Sequence, residues 1–515
     1  MTDMSDWMAS TGLTIGKKDE NGGTPAHYAA AEGRVDVLTW LKKQGANVKA
    51  KDKDGYTPMF FAAIHGHVEA MKWLKGQGAD VNARSKLGGT PMFWAATGGH
   101  IDAMKWLKEQ GADVNARSHS GGTPMFSAAT YGQVEVMKWL KEHGADVTSK
   151  GNDGQTLMFQ AAWHGRVEAM AWLKAQGVDV NAKDSIGRTP MFAAAHEGQI
   201  DAMAWLQAQG VDVHAKKKAV SPIHDEGGWT LMYAAAVNDH LDAMKWLRAQ
   251  GVDVNTANDM RGDTPMVLAV VDGRIETMAW LKEQGADIHV KDSRGCTLMF
   301  DAARRGQIEA MAWMKEQGAD IHARSHNGGT LMMHAAYYGN VEVMKWLKEQ
   351  GAVVNARGDD DWTAMFRAAL PHVDTMQWLK EQGADIHARD DHGETPMFDA
   401  ARHGQIDAMT WLKEHGADVN ATNHQGRTPI FGAAGRGAVR SMAWLKEHGA
   451  DIHARENNGR TPMFDAAKCE RVDAMAWLKE QGADIDAKDK KGRTPLSVAR
   501  KKKNKQWLRD HGAHE

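Results

Sequence analysis

Apolar and polar positions follow one order that returns along almost the whole chain, in most places after 33 residues. The recurring unit reads G-x-T-P-M-F-x-A-A-x-x-G-x-x-x-A-M-x-W-L-K-x-Q-G-A-D-V-N-A. Its threonine is found at Thr24, Thr57, Thr90, Thr123, Thr156, Thr189, Thr230, Thr264, Thr297, Thr330, Thr363, Thr395, Thr428, Thr461 and Thr494. Since such a period is typical of repeat proteins whose units pack on their sequence neighbours, we predict one elongated domain over residues 1–515.

Within one unit, the same pattern predicts two helices joined by a turn. Thr57 is a favourable N-cap and Pro58 a favourable first helical residue, so helix A is expected to begin there and to end at Gly66. Helix B is expected over 68–77, where apolar residues share one face and Glu and Lys the other. The alternating residues that follow predict an extended hairpin. The expected fold class is therefore all-α with short β-hairpin-like turns.

Two positions of helix B are almost constant, one a methionine and the other a tryptophan. The methionines, such as Met71, Met104 and Met137, are expected to fill the core. The tryptophans are Trp40, Trp73, Trp106, Trp139, Trp172, Trp205, Trp246, Trp280, Trp313, Trp346, Trp378, Trp411, Trp444 and Trp477. They could form an exposed aromatic track for bases or sugars, but their constancy favours a core column that bridges neighbouring units.

The motifs T-P-M-F-x-A-A, the glycine between the helices and G-A-D-V-N-A at this spacing resemble the ankyrin-repeat family across essentially the entire chain. The resemblance implies a solenoid of stacked helix-turn-helix units. It also implies a concave partner surface, formed by the two residues before the turn glycine and by the hairpin tips. The chain departs from the family where Met59 and Phe60, and their counterparts, replace the usual Leu-His. We expect aromatic packing to replace the hydrogen bonds of the family's histidine.

Irregular spacing divides the array into segments. The spacing from Thr189 to Thr230 is 41 residues, so about eight extra residues near 217–224 enlarge one hairpin. This insertion either reaches a ligand or is a harmless bulge. One residue is missing near Pro371, and Trp7 lies 33 residues before the first tryptophan of the column. The expected organisation is an N-terminal half-repeat cap over 1–18, repeats 1–6 over 19–216, repeats 7–10 over 217–357, repeats 11–14 over 358–488 and a C-terminal capping repeat over 489–515, with soft joints near 216–228 and 358–373.

Positions that vary between units are the candidates for partner recognition, because stacking explains the constant positions. In helix A they are the residue after the Phe and the two residues before the turn glycine. The candidate partner-binding residues are Tyr56, Phe61, His65, Trp94, Tyr131, Trp163, His164, Arg304, Arg305, Tyr337, Tyr338, Arg367, Arg402, His403 and Arg436. The N-terminal members form an aromatic, nearly uncharged stripe of the residue types that dominate interface energies. The alternative is that Phe61 and Trp94 pack back onto the core.

The C-terminal members form a charged, arginine-rich stretch. Arginine could hold an acidic segment of a partner through bidentate contacts. The alternative is that these residues form solvated helix pairs, Asp301 with Arg305 and Asp399 with His403, which contribute about 0.3 kcal/mol each.

The composition limits the classes of partner that we expect and indicates the cellular compartment. The formal net charge is -3 and the charges are interspersed, which disfavours nucleic acid and anionic membranes as partners. The two cysteines, Cys296 and Cys469, indicate a reducing compartment, so we expect a cytoplasmic protein. Neither a signal-peptide pattern nor an apolar stretch of membrane-spanning length occurs, although a specialised export route would leave no recognisable signal.

Motifs for catalysis and metal binding are absent from the sequence. It contains no HExxH, no Cys-x-x-Cys pair, no phosphate-binding glycine loop and no serine nucleophile elbow. Five of the 25 histidines replace the hairpin asparagine, at His214, His289, His322, His387 and His453. Units stack about 10 Å apart, whereas a zinc ion needs ligands at about 2 Å, so we expect no metal site and no cofactor.

The function expected from these observations is a non-enzymatic scaffold or inhibitor that holds a partner protein on the concave helix A and hairpin face. The chain is expected to be monomeric alone. Two alternatives are a binder of small molecules or nucleotides in the aromatic and arginine-lined groove, and a self-assembling structural protein.

Overall fold

The computed structural model describes residues 7, 8, 12, 14–216, 228–258, 262–370 and 372–514. Fifteen pairs of helices follow one another in these residues. They are α1 (Pro25–Ala31), α2 (Val35–Lys43), α3 (Pro58–Ile64), α4 (Val68–Gly76), α5 (Pro91–Gly98), α6 (Ile101–Glu109), α7 (Pro124–Tyr131), α8 (Val134–Glu142), α9 (Leu157–Trp163), α10 (Val167–Ala175), α11 (Pro190–His196), α12 (Ile200–Ala208), α13 (Leu231–Val237), α14 (Leu241–Ala249), α15 (Pro265–Val271), α16 (Ile275–Glu283), α17 (Leu298–Arg305), α18 (Ile308–Glu316), α19 (Leu331–Tyr337), α20 (Val341–Glu349), α21 (Ala364–Ala368), α22 (Val373–Glu381), α23 (Pro396–His403), α24 (Ile406–Glu414), α25 (Pro429–Arg436), α26 (Val439–Glu447), α27 (Pro462–Lys468), α28 (Val472–Glu480), α29 (Pro495–Val498) and α30 (Lys502–Asp510).

Odd-numbered helices are the predicted helices A, and even-numbered helices are the predicted helices B. Helix α3 begins at Pro58 after an extended Thr57, as expected, and α4 ends one residue before the predicted end. Gly66 separates them with φ of 72°, a left-handed conformation that glycine adopts without strain. The all-α fold class is therefore confirmed.

The hairpins after each helix B join neighbouring repeats. The backbone amide of Lys86 donates to the Asp54 carbonyl at 2.7 Å. The Arg84 guanidinium donates both to Gly88 O of its own hairpin and to Arg117 O of the next one, at 3.1 and 2.8 Å. In the described residues, β-pairing is limited to isolated bridges such as Lys150 with Thr156. The turns are thus hairpin-like without forming a sheet.

The core lies between the helices of neighbouring repeats. Met71, Met104 and Met137 are fully buried, which confirms the predicted methionine column. Of the fourteen tryptophans in the helix B column, none is exposed. Trp106, Trp139, Trp378, Trp411 and Trp444 are buried, and the other nine are half-buried. The tryptophans therefore belong to the edge of the core and form no exposed aromatic track.

The first repeat keeps the family's histidine, and a comparison with the second repeat shows the effect of replacing it. His27 accepts a hydrogen bond from the Thr24 amide at 3.0 Å, lies 2.9 Å from the Thr24 hydroxyl, and donates to Tyr56 O at 3.1 Å. In the second repeat Phe60 stands in its place and packs against Tyr56. Aromatic packing thus takes the place of these hydrogen bonds in the second repeat, as expected, and the threonine hydroxyl loses its ring-nitrogen partner. Buried threonine hydroxyls without a partner occur at Thr57, Thr90, Thr123, Thr297, Thr363, Thr428 and Thr461.

A second link between repeats starts from the residue that precedes helix B. His67 Nε2 donates to Ala31 O at 2.9 Å, and Asn340 Nδ2 donates to Ala303 O at 2.8 Å. These carbonyls lie at the C-terminal end of helix A in the preceding repeat, where a helix leaves its last carbonyls without internal partners. In these repeats, the residue before helix B thus caps the helix A of the preceding repeat.

The chain divides into two compact units, Met1–Pro265 and Met266–Glu515. The insertion near 217–224 and Pro371 lie outside the described residues, and the joints at 216–228 and 358–373 stay predictions. In the N-terminal segment, Trp7 is buried and its Nε1 donates to Glu32 at 2.6 Å. In the last repeat, Leu508 of α30 is buried while Lys501, Lys502 and Lys503 are exposed, as expected of a solvated cap helix.

Candidate partner-binding face

The variable positions of helix A lie on the side away from the alanine pair that contacts the neighbouring helix. In α3, Ala62 and Ala63 are fully buried, whereas Phe61 is half-buried and His65 is exposed. We call this side, together with the adjoining hairpin residues, the helix A face. All fifteen predicted site residues are among the described residues.

An aromatic cluster occupies this face in repeats 2 and 3. The Tyr56 ring lies 5.3 Å from the Trp94 ring and 6.5 Å from the Phe61 ring, with both pairs nearly perpendicular. Together with Phe60 and Ile64 they line a cavity of about 100 Å³. Phe61 and Trp94 are half-buried, so they lean on the repeat surface and still border open space.

Further along the first unit, the predicted aromatic residues differ in their surroundings. Tyr131, at the end of α7, is 52% exposed. Trp163 instead lies between the rings of Phe159 and His196, with centroid distances of 5.8 and 5.2 Å. The neighbouring His164 is half-buried, and burial lowers the pKa of its imidazole. Tyr131 is thus the most accessible aromatic side chain of this stretch.

In repeats 9 to 11, tyrosine and arginine share the face. The rings of Tyr337 and Tyr338 are perpendicular with centroids 4.9 Å apart, and the side chains are 40% and 42% exposed. The Arg367 guanidinium carbon lies 4.2 Å from the centre of the Trp362 ring. Tyr337, Tyr338 and Arg367 border a cavity of about 590 Å³. Arg304 forms an ion pair with Asp301 at 3.1 Å, whereas the predicted partner of Asp301, Arg305, is exposed.

In repeats 12 to 14, the charged residues form buried ion pairs. Arg402 contacts both Glu394 and Asp399, the latter at 3.1 Å, and Asp399 is only 3% exposed. The prediction of a solvated pair between Asp399 and His403 is therefore wrong, since His403 Nδ1 donates to the Asp399 backbone oxygen. Arg427 likewise contacts Glu456 at 2.6 Å and Asp465 at 3.3 Å.

Burial controls the titration of the acidic partners in this network. It raises the pKa of both Asp399 and Asp465, although Arg402 and Arg427 oppose the increase. The predicted residue Arg436 ends α25 in an exposed position. It borders a cavity of about 370 Å³ in which Gly432 and Gly435 supply no side chain.

A family model described as ankyrin repeats (3 copies) matches the chain eight times, over 4–85, 77–151, 145–217, 217–292, 298–390, 372–423, 397–489 and 433–514. The chain belongs to the ankyrin-repeat family. No curated protein matches it. Ankyrin repeats generally act as scaffolds for protein–protein interaction, without catalysis of their own.

One position of these ankyrin repeats was largely missed by sequence reasoning, namely the residue directly before the repeat threonine. Glu394, Arg427 and Arg460 occupy it and form the ion pairs of the helix A face, Arg460 with Asp489 at 3.3 Å. Trp362, on which Arg367 rests, occupies it too. The signal was available, because this position varies between repeats as strongly as the helix A positions do.

Metal sites and membrane-spanning helices are two further features that a chain of this size could contain. No group of three or more His, Cys, Asp or Glu side chains is placed to hold a metal ion there. Among the helices α1 to α30, none combines the length and the hydrophobicity that crossing a membrane requires.

Proposed function

We propose that this ankyrin-repeat protein is a non-enzymatic scaffold or inhibitor that holds a partner protein on its helix A face. One observation carries the proposal: the constant methionine and alanine positions are buried, while the variable positions place Tyr, Trp and Arg at or near the surface. These three residue types dominate binding energies at protein interfaces. We further propose a monomeric, cytoplasmic protein, in keeping with two free cysteines.

The two chemical characters of the face support a partner with two kinds of contact. The cluster of Tyr56, Phe61 and Trp94 offers an apolar surface. Tyr337, Tyr338, Arg367 and Arg436 of the second unit offer hydrogen-bond donors and positive charge. Apolar side chains of a partner would match the first surface, and acidic side chains would match the second.

Comparative capture from a cell lysate tests the proposal. The double variant Tyr131→Ala with Arg436→Ala changes two exposed residues of the helix A face. The matched control, Lys72→Ala with Lys345→Ala, changes exposed lysines of helix B at 49% and 47% exposure. Quantitative mass spectrometry is expected to show proteins that are lost with the first variant and kept with the second. If both variants recover the same proteins in equal amounts, and their melting temperatures are unchanged, the helix A face is not the partner-binding surface.

A further inference from the structure

The cavity of about 590 Å³ in repeats 9 to 11 differs from the other cavities of the helix A face in its charge arrangement. Its lining comes from the hairpins before α17 and α19 and from helices α19 and α21. The side chains that matter are Arg294, His334, Tyr337, Tyr338 and Arg367. All of them belong to the second unit.

Arg367 is the unusual member of this set. Its side chain is half-buried and stacks on Trp362, but it forms no ion pair or hydrogen bond with any residue that the structure describes. Arg402 and Arg427, at comparable burial, each contact two carboxylates. Burial lowers the pKa of Arg367, yet a guanidinium keeps its proton at neutral pH. A partly desolvated positive charge therefore faces the cavity without a direct ion pair, although the carboxylates of Asp399 and Asp360 act on it from farther away.

The neighbouring groups complete a site for an anion. The hydroxyls of Tyr337 and Tyr338 have no hydrogen-bond partner among the described residues, so both can donate. Burial, with the charges of Arg367 and Arg294, lowers the pKa of His334 to about 4, so its imidazole is neutral at pH 7. The nearest carboxylate on the hairpin, Asp292, is already bound by Arg294 at 2.9 Å.

We propose that this cavity binds the carboxylate of an acidic side chain on a partner protein segment, through the guanidinium of Arg367 and the hydroxyls of Tyr337 and Tyr338. A planar guanidinium matches a carboxylate in bidentate geometry, and the exposed tyrosine rings can pack on the segment's neighbouring side chains. The inference rests on the proposed function, since it assumes that a protein occupies the helix A face.

The test uses the full chain labelled with 3-fluorotyrosine and observed by ¹⁹F NMR, because the sequence contains six tyrosines and the label therefore reports on few sites. The probe is a hexaglutamate peptide with blocked ends, and Tyr→Phe variants assign the resonances. Saturable shifts are expected for Tyr337 and Tyr338, with Tyr28 and Tyr131 unaffected. Hexalysine, inorganic phosphate and ATP serve as comparison probes.

Arg367→Gln is expected to weaken hexaglutamate binding at least about tenfold, as loss of a charge-assisted contact does. Arg500→Gln, which removes the same charge from an exposed C-terminal position, is expected to leave binding unchanged. Tyr338→Phe removes only an exposed hydroxyl, and about a threefold loss is expected even if Arg367→Gln perturbs folding.

Three results would overturn the proposal: no saturable shift at Tyr337 and Tyr338, equal affinity of the Arg367→Gln and Arg500→Gln variants, or shifts with ATP or phosphate but not with hexaglutamate. The last result would assign the cavity to a small anion. Failure here leaves the lysate comparison intact, because that comparison changes Tyr131 and Arg436 and no residue of this cavity.

Discussion

The repeat threonine has different partners in different repeats, although it begins every helix A. Thr24 lies beside a histidine ring nitrogen, whereas Thr57 keeps a buried hydroxyl without a partner. At Thr156 the hydroxyl accepts from the Phe159 amide at 3.2 Å. The threonine is thus constant in sequence but not in hydrogen bonding.

Thr24→Val and Thr57→Val are therefore expected to have unequal effects. Thr24→Val should destabilise the first repeat by about 1 kcal/mol, because the His27 nitrogen loses its hydroxyl partner. Thr57→Val removes a hydroxyl that bonds to nothing in the structure, so stability should stay the same or rise slightly. Amide hydrogen exchange in α1 and α3 measures each effect locally. Equal loss of protection in both variants would contradict this account.

His334 makes the stability of its repeat depend on pH. Its pKa is about 4 in the folded state, chiefly because of burial, and about 6.5 when the chain unfolds. The folded state therefore binds fewer protons between these values. Stability is fully present above the unfolded pKa and is lost as the pH falls through 6.5 towards 4.

We expect the urea midpoint of the native chain to fall more between pH 7 and pH 5 than that of a His334→Gln variant. The difference should correspond to about 1–2 kcal/mol, because one unit of pKa shift equals about 1.4 kcal/mol. Glutamine keeps a polar side chain of similar size without the titration. Parallel pH profiles of the two proteins would show that His334 is not responsible.

At the scale of single elements, α25 contains a glycine in its interior, and this residue lowers the stability of the helix. Gly432 lies inside the helix with ordinary helical φ, so backbone conformation does not require glycine there. An added Cβ would meet its nearest atom, Arg402 Nε, at 3.6 Å, which is ordinary contact. Because Gly432 has no side chain, it leaves space in the neighbouring cavity that it lines.

Gly432→Ala is expected to stabilise the protein by about 1 kcal/mol, the usual gain over glycine in a helix interior. Gly437→Ala is the matched control, because Gly437 has φ of 77° and its added Cβ would lie 3.1 Å from Arg471 Cδ. This control should be destabilised. Chemical denaturation measures the free energy of unfolding of both variants. A loss of stability in Gly432→Ala would show that the glycine is structurally required.

Much of each element could be predicted from the sequence, because local signals determine it. Thr57, Pro58 and Gly66 define the bounds of helix A, and the buried methionine column follows from the helical period. Pairing on the helix A face could not be predicted in the same way. Arg427 contacts Glu456, 29 residues away, from a hairpin position next to the helix. Such contacts depend on how neighbouring repeats are placed, which no single repeat encodes.

For the molecule as a whole, constant and variable positions have separate roles. Within each compact unit, repeats are joined by buried methionine and alanine columns, by hairpin backbone bonds and by side chains that cap the preceding helix. The methionine, alanine and hairpin links use the same positions in repeat after repeat. The helix A face is therefore free to vary, and we infer that partner selection depends on it.

Hydrogen exchange of the full chain with a captured partner tests this claim most directly. The account predicts slower amide exchange in the hairpins and odd-numbered helices that carry Tyr56, Tyr131, Tyr338 and Arg436, with little change in the even-numbered helices. An exposed lysine variant of helix B, Lys72→Ala, should give the same footprint. Slower exchange concentrated in the even-numbered helices, with the hairpins and odd-numbered helices unchanged, would contradict it.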